Sequence, residues 1–161
     1  EDERPLEIRA HEHAISSDIR LVVRELVDAL GATMVAAIGG VSETRAVKQW
    51  MTDREPQRPH LLRFALQLAW IICEKGDRDV ARAWFQALNP HLNDAVPLLL
   101  LRERQLSDVQ APLMAAARAF TPRPFPAERA KFQDRPQSQL VSFDHNVHTE
   151  ERKVGENYFL S

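Results

Sequence analysis

Apolar residues recur at helical spacing over residues 17–120, and no strand-type alternation of useful length occurs in the chain. Between Ser17 and Gly31 the apolar positions advance in steps of three and one, which indicates a helix with one buried face. Ser17 is a favourable N-cap and Gly31 a favourable terminator, so both ends of this helix can be predicted. The pattern predicts an all-α fold, a small helical bundle without a sheet of three or more strands.

The remaining helices are predicted from caps, breakers and apolar faces. Ser42 and Ser107 are predicted N-caps, the latter in a capping box, and Asp77 is predicted to cap a helix that Asn89 and Pro90 then stop. The predicted helices cover residues 33–38, 42–51, 61–75 and 77–88, a short stretch from residue 97, and residues 107–120. The apolar face of the helix after Asp77 consists of Val80, Ala81, Trp84, Phe85 and Leu88.

The two ends of the chain lack this periodicity. Residues 1–16 are polar with no clear period, so we predict an N-terminal segment outside the helices. Residues 121–161 contain closely spaced prolines, balanced charges and no sustained period, which predicts an extended Pro-rich tail without a core of its own. The domain boundaries we expect are therefore residues 17–60 for a first helical region, residues 61–120 for a second, and residues 121–161 for the tail.

The composition fits a globular protein with a buried core. Apolar residues make up 44% and charged residues 27% of the 161 residues. The formal net charge of -2 supplies no general positive field, so any contact with DNA would need a local basic patch. The densest apolar run, residues 64–73, is half of the ~20 residues that a membrane span needs, and the single cysteine, Cys73, fits a reducing compartment. We expect a cytoplasmic protein with no membrane partner.

A short polar helix that follows a glycine pair is typical of a helix-turn-helix motif. In this motif the second helix enters the DNA major groove and presents polar side chains to base edges. The stretch GVSETRAVKQW resembles the pattern of Xre regulators, with one residue more than usual between Ser42 and Trp50. The residues expected to face DNA bases are Thr44, Arg45, Lys48 and Gln49, and those expected to reach phosphates are Arg54, Arg58 and Arg63. A three-helix support that has lost its DNA role is the alternative interpretation.

A second set of motifs follows the long apolar helix. A tryptophan near a helix end, an NP-x-L loop and a P-x-x-L-L helix occur in that order, in the stretch WFQALNPHLNDAVPLLLLRERQLSDVQAPLMAAARAF. This order resembles the toxin-binding domain of the Xre/MbcA/ParS antitoxins, and the helix-turn-helix precedes it as in that family. The chain departs from the family pattern in having no glycine over residues 102–106 and in continuing for some forty residues after the last helix. The motif residues, which we expect to set packing and turn geometry, are Trp50, Trp84, Asn89, Pro90, Leu92 and Pro97.

The resemblance implies a protein partner. Antitoxins of this kind cap RES-domain toxins, which degrade NAD, and their helix-turn-helix often represses the shared operon. The mechanism we expect is steric, in a homo- or hetero-oligomer whose partner contacts come from the last helix and the tail. The apolar side chains expected to make these contacts are Phe120, Phe125, Phe132, Phe143, Tyr158 and Phe159.

The sequence contains few motifs that indicate an enzyme or a metal site. No phosphate loop, dinucleotide fingerprint or nucleophile elbow is present, so we expect no enzyme and no cofactor. His145 and His148 lie near two carboxylates but without a cysteine pair, and we expect no metal there. Two other functions stay open beside the antitoxin. One is a free-standing helix-turn-helix transcription regulator, and the other is a structural subunit that its tail ties into a larger assembly.

Overall fold

The computed structural model describes residues 3–122, and this part of the chain is all-α. Within it lie eight α-helices, one short 3-10 helix and no β-strand, so the predicted fold class is confirmed. The helices are α1 (Leu6–Ser16), α2 (Ile19–Leu30), α3 (Ala32–Ile38), α4 (Thr44–Trp50), α5 (Pro59–Lys75), α6 (Arg78–Gln86), α7 (Pro97–Glu103) and α8 (Leu106–Ala119). The 3-10 helix, Pro90–Leu92, lies between α6 and α7.

Helix α5 is the centre of the bundle. It packs against α1, α2, α3, α6 and α8, which is why most of its circumference is apolar. Leu62, Ala65 and Leu68 are completely buried on it, and the half-buried Arg63 and Gln67 interrupt the apolar surface. Each large side chain buried in this way contributes about 1.5–3 kcal/mol to stability.

Helix α1 corrects the sequence prediction, because residues 1–16 were expected to lie outside the helices. Its buried face consists only of Ala10 and Ala14, one turn apart, and two small residues give too weak an apolar pattern to predict a helix. Packing against α5 stabilises α1 although its own apolar pattern is weak. Arg63 on α5 also donates from Nη1 to the carbonyl oxygens of Ala14 at 2.7 Å and Ser17 at 2.6 Å, and so satisfies the end of α1.

Polar contacts hold α1 at two further places. His13 Nε2 lies 2.7 Å from Glu25 Oε2 on α2, and its ring stacks on Trp70 of α5 with ring centroids 4.4 Å apart. Nearer the start of α1, Glu7 accepts from the Arg118 guanidinium on α8 at 2.6 and 2.7 Å. These partners are 12 to 111 residues away in sequence, so no local pattern could have predicted them.

The three serines predicted as N-caps, Ser17, Ser42 and Ser107, do not hold that position. Asp18 caps α2 instead, accepting from the Arg20 backbone N–H at 2.8 Å. Helix α4 starts two residues after Ser42 without a side-chain cap, and Ser107 lies inside α8. The predicted cap residues therefore lie within one or two residues of the observed helix starts, which is the usual uncertainty of a helix boundary.

Leu88 is a further correction. It was predicted on the buried face of the helix after Asp77, but α6 ends at Gln86 and 68% of Leu88 is exposed. The cap prediction at the other end of α6 is confirmed, because Asp77 accepts from the Val80 backbone N–H at 2.9 Å. The chain leaves the helix early since residues before a proline disfavour helical geometry, and Pro90 follows closely.

A first compact unit comprises Glu1–Pro122, and residues 123–161 lie outside the described part of the chain. Among the residues that are described, no helix is long and apolar enough to cross a membrane. The functional surfaces considered below all belong to the first unit.

Candidate functional site: the α4 face and the α6–α7 surface

The turn between α3 and α4 depends on two glycines. Gly40 has a backbone φ of +80°, a conformation that side chains rarely tolerate. Gly39 lies directly under the ring of Trp50, and a Cβ at this position would come within 2.6 Å of the Trp50 Cζ3 atom. Trp50 is 4% exposed, so its ring fixes the end of α4 against the turn.

Helix α4 presents the predicted DNA-facing residues on one side. Val47 and Trp50 are buried against the bundle, whereas Thr44, Arg45 and Lys48 are exposed. This division follows from helical spacing, because positions three apart share a face. The geometry brings three of the four predicted side chains together on an accessible surface.

The fourth, Gln49, is half-buried and serves the following turn. Its Oε1 accepts from Arg54 Nη1 at 3.3 Å, and its carbonyl oxygen accepts from the backbone N–H of Thr52, Asp53 and Arg54 at 3.0–3.1 Å. Gln49 therefore shapes the segment after α4. The Arg54 hydrogen bond occupies one of the two acceptor positions of Oε1.

Two arginines expected to reach phosphates are engaged inside the bundle. Arg63 donates to the end of α1, as described above, and Arg58 Nη1 donates to the Arg102 carbonyl at 3.0 Å, at the end of α7. Arg54 remains exposed. The exposed acids Glu43, Asp53 and Glu55 lie next to α4 in sequence and offset its positive charges. The surface around α4 is therefore less basic than the sequence prediction assumed.

The segment between α6 and α7 is closed by one buried asparagine. Asn89 Oδ1 accepts from the His91 backbone N–H at 3.0 Å, and the Asn89 carbonyl accepts from the backbone N–H of Leu92 and Asp94 at 2.9 Å. The Asn89 N–H in turn donates to the Ala95 carbonyl at 3.1 Å, which makes an isolated antiparallel bridge. We call residues 89–95 the Asn89 loop; its hydrogen bonds hold both of its ends together.

Two exposed leucines flank the Asn89 loop, and we call them the leucine pair. Leu88 directly precedes the loop and is 68% exposed, and Leu99 lies on α7 and is 46% exposed. The neighbouring motif residues Trp84, Leu92 and Pro97 are buried. Of the predicted motif residues in this segment, Pro90 alone is exposed. Leu88 and Leu99 are two of the five large apolar side chains that are exposed among the described residues.

Sequence reasoning missed the leucine pair. Leu88 was placed on a buried face, although the nearby Asn-Pro step signalled that α6 would end before it. Leu99 stands in a run of four leucines, and only the packing of α7 shows which of them face outward. The Asn-Pro step could have predicted that Leu88 is exposed. No feature of the sequence shows that Leu99 is the exposed residue of its leucine run.

The partner-binding residues predicted for the tail, together with His145 and His148, lie outside the described residues. Of that group the structure describes only Phe120, which is half-buried against the core. Its carbonyl accepts from Lys75 Nζ at 3.1 Å, and the carbonyls of Ala117 and Arg118 accept from the same amine at 2.9 and 2.7 Å. Lys75 thereby satisfies three carbonyl oxygens at the C-terminal end of α8, and these hydrogen bonds hold Phe120 in place.

Cys73 and its surroundings carry no metal-site geometry. Burial raises the pKa of the Cys73 thiol, and the nearby Arg78 guanidinium opposes this in part. Within residues 3–122 no group of three or more histidine, cysteine, aspartate or glutamate side chains could hold a metal ion. Cys73 is a free, half-buried cysteine, and its raised pKa lowers the fraction of reactive thiolate at neutral pH.

No protein-family model matches the chain, and searches of curated proteins and of solved structures return no significant similarity.

Proposed function

We propose that the protein is an antitoxin-like binding protein that neutralises a partner protein sterically, by covering part of its surface. The observation that carries the proposal is the leucine pair on the frame of the Asn89 loop, within the segment that resembles an antitoxin toxin-binding domain. By resemblance the partner is a RES-type toxin that degrades NAD. The tail aromatics predicted above remain candidates for further contacts.

The leucine pair suits this role for a physical reason. Apolar residues at the centre of an interface contribute most when their backbone is already ordered, because little conformational entropy is then lost on binding. The hydrogen bonds around Asn89 supply that order for Leu88, and the buried Pro97 starts the helix that carries Leu99.

The proposal is tested by capturing the product of the adjacent gene with the full chain and with variants. Replacing Leu88 and Leu99 by Asp together should weaken capture by roughly 30-fold or more, since each truncated hot-spot residue costs about 1–3 kcal/mol and the two costs add to at least about 2 kcal/mol. The matched control is Leu21→Asp on α2, because Leu21 is 43% exposed and lies outside the α6–α7 surface. Equal loss of capture in the pair variant and in the control would contradict a binding role for this surface.

A second candidate function is a free-standing transcription regulator. The observation that favours it is the exposure of Thr44, Arg45 and Lys48 on one face of α4 while Val47 and Trp50 anchor the helix. The two functions are compatible, because antitoxins of the family it resembles often repress their own operon. The third interpretation, a structural subunit tied in by its tail, concerns residues that are not described.

The DNA-binding candidate is tested by replacing Arg45 and Lys48 with Ala. Affinity for the protein's own promoter fragment should fall by about 1–3 kcal/mol for each lost base contact, and a lost phosphate contact should flatten the salt dependence. Because Glu43, Asp53 and Glu55 offset the basic residues around α4, the salt dependence of the unaltered protein should already be shallow. Arg20→Ala, an exposed change on α2, is the control. No binding by the unaltered protein at low salt would reject this candidate.

A further inference from the structure

A groove of about 190 Å³ lies between α1, α5 and α8, away from the residues of both surfaces described above. Its apolar part is formed by Ile15, Phe64 and Leu106, one from each helix. Ile15 is 56% exposed, the largest exposed fraction among the described isoleucines, while Phe64 is buried. The groove thus has an apolar floor that opens to the protein surface.

The polar part of the groove is cationic or neutral. Arg63 and the imidazoles of His11 and His60 line it, and none of the described residues in its lining is an aspartate or a glutamate. A groove with a guanidinium and no carboxylate of its own favours a negatively charged occupant.

Arg63 has hydrogen-bond donors left for such an occupant. Nη1 makes both bonds to the end of α1, to Ala14 and Ser17. Within residues 3–122 the structure gives Nε and Nη2 no hydrogen-bond partner, and neither is fully buried. An arginine held rigidly by one nitrogen while others stay free is preorganised for a carboxylate, because its position is already fixed.

The size of the groove indicates what it can hold. Small-molecule sites usually measure ~300–1,000 Å³, so this one is too small for a whole metabolite of ordinary size but large enough for one or two side chains. We propose that it binds a carboxylate side chain, with an adjacent apolar side chain, from an acidic segment of a partner protein. The carboxylate pairs with Arg63, and the apolar neighbour packs on Phe64 and Leu106. This proposal is independent of the proposed function, since it uses none of the same residues.

The test uses the full chain and two capped peptides, acetyl-Leu-Glu-Leu-amide and its neutral counterpart acetyl-Leu-Gln-Leu-amide, in an NMR titration of backbone amides. The acidic peptide should shift the amides of the groove residues, with half-saturation on the order of millimolar for so small a contact. The neutral peptide should bind roughly tenfold more weakly, because the pairing with Arg63 is lost.

Variants keep the proposal falsifiable without disturbing Arg63, which also holds α1. Gln110→Glu places a like charge in the groove and should weaken the acidic peptide by roughly fivefold, whereas Gln86→Glu, the same change at an exposed site on α6, should leave it within about twofold. Equal binding of the two peptides, shifts confined to other residues, or equal effects of the two variants would overturn the proposal. Acetate that binds as tightly as the acidic peptide would contradict a protein segment as the occupant.

Discussion

At the scale of single residues, the α3–α4 turn is defined by a contact that only glycine permits. The Trp50 ring occupies the space where a side chain of Gly39 would lie. Trp50 is nearly buried and is the last residue of α4, so this contact joins the end of the helix to the turn before it.

We predict that Gly39→Ala destabilises the protein. The added methyl group would force the Trp50 ring or the turn to move, and such overpacking costs about 1–3 kcal/mol. The free energy of unfolding from urea denaturation measures this. Thr33→Ala, an exposed change on the neighbouring helix α3, should stay within about 0.5 kcal/mol of the unaltered protein. A Gly39→Ala protein as stable as the unaltered one would show that Trp50 does not depend on this contact.

Cys73 gives a prediction about pH. Burial raises the pKa of its thiol, so the reactive thiolate is scarcer at neutral pH than in an exposed cysteine and increases as pH rises through the raised value. Alkylation at neutral pH should be slower than for a small free thiol, and the pH at half-maximal rate should be higher. Removing the opposing charge with Arg78→Ala should shift this pH further upward. Alkylation as fast as that of the free thiol at neutral pH would contradict this account.

At the scale of elements, the Asn89 loop orders the α6–α7 surface. Its hydrogen bonds take the place of helical ones between the end of α6 and the start of α7. Asn93 and Asp94, which have positive φ angles, reverse the direction of the backbone within the loop. The element therefore holds Leu88 in place although that residue belongs to no helix.

We predict that Asn89→Ala loosens this element. Loss of the side-chain bond to the His91 N–H should cost about 0.5–2 kcal/mol, the range for a removed capping residue. Hydrogen exchange of the His91 amide should become faster, and the temperature of unfolding should fall. His91→Ala keeps the backbone donor and changes only an exposed side chain, so it should leave both quantities nearly unchanged. Unaltered exchange at residue 91 in Asn89→Ala would show that the side chain does not hold the loop.

At the scale of the whole molecule, the sequence was sufficient for the helices that have a clear apolar face and a polar cap. The cap at Asp77, the stop at Asn89 and Pro90, and the apolar core helix α5 were all visible in it. Helix α1 was not, because its burial rests on Ala10 and Ala14 and its polar partners are distant in sequence. The same distinction applies to the surfaces: the face of α4 follows from helical spacing, but the leucine pair depends on where α6 stops.

The bundle as a whole presents three separate sets of accessible residues: the face of α4, the leucine pair and the α1–α5–α8 groove. All are fixed to helices that pack, directly or through a neighbour, on α5. A protein built in this way suits binding with little change of shape, because the side chains are positioned before any partner arrives. We propose that this is how the chain neutralises its partner.

The most direct measurement is the rate of NAD consumption by the proposed partner toxin, sought as the product of the adjacent gene, followed while the full chain is added in increasing amounts. The proposed function predicts that consumption falls to zero at a fixed molar ratio. The Leu88→Asp, Leu99→Asp double variant should need a much larger excess, and Leu21→Asp should behave like the unaltered protein. Undiminished NAD consumption at a large excess of the unaltered chain would contradict the proposed function.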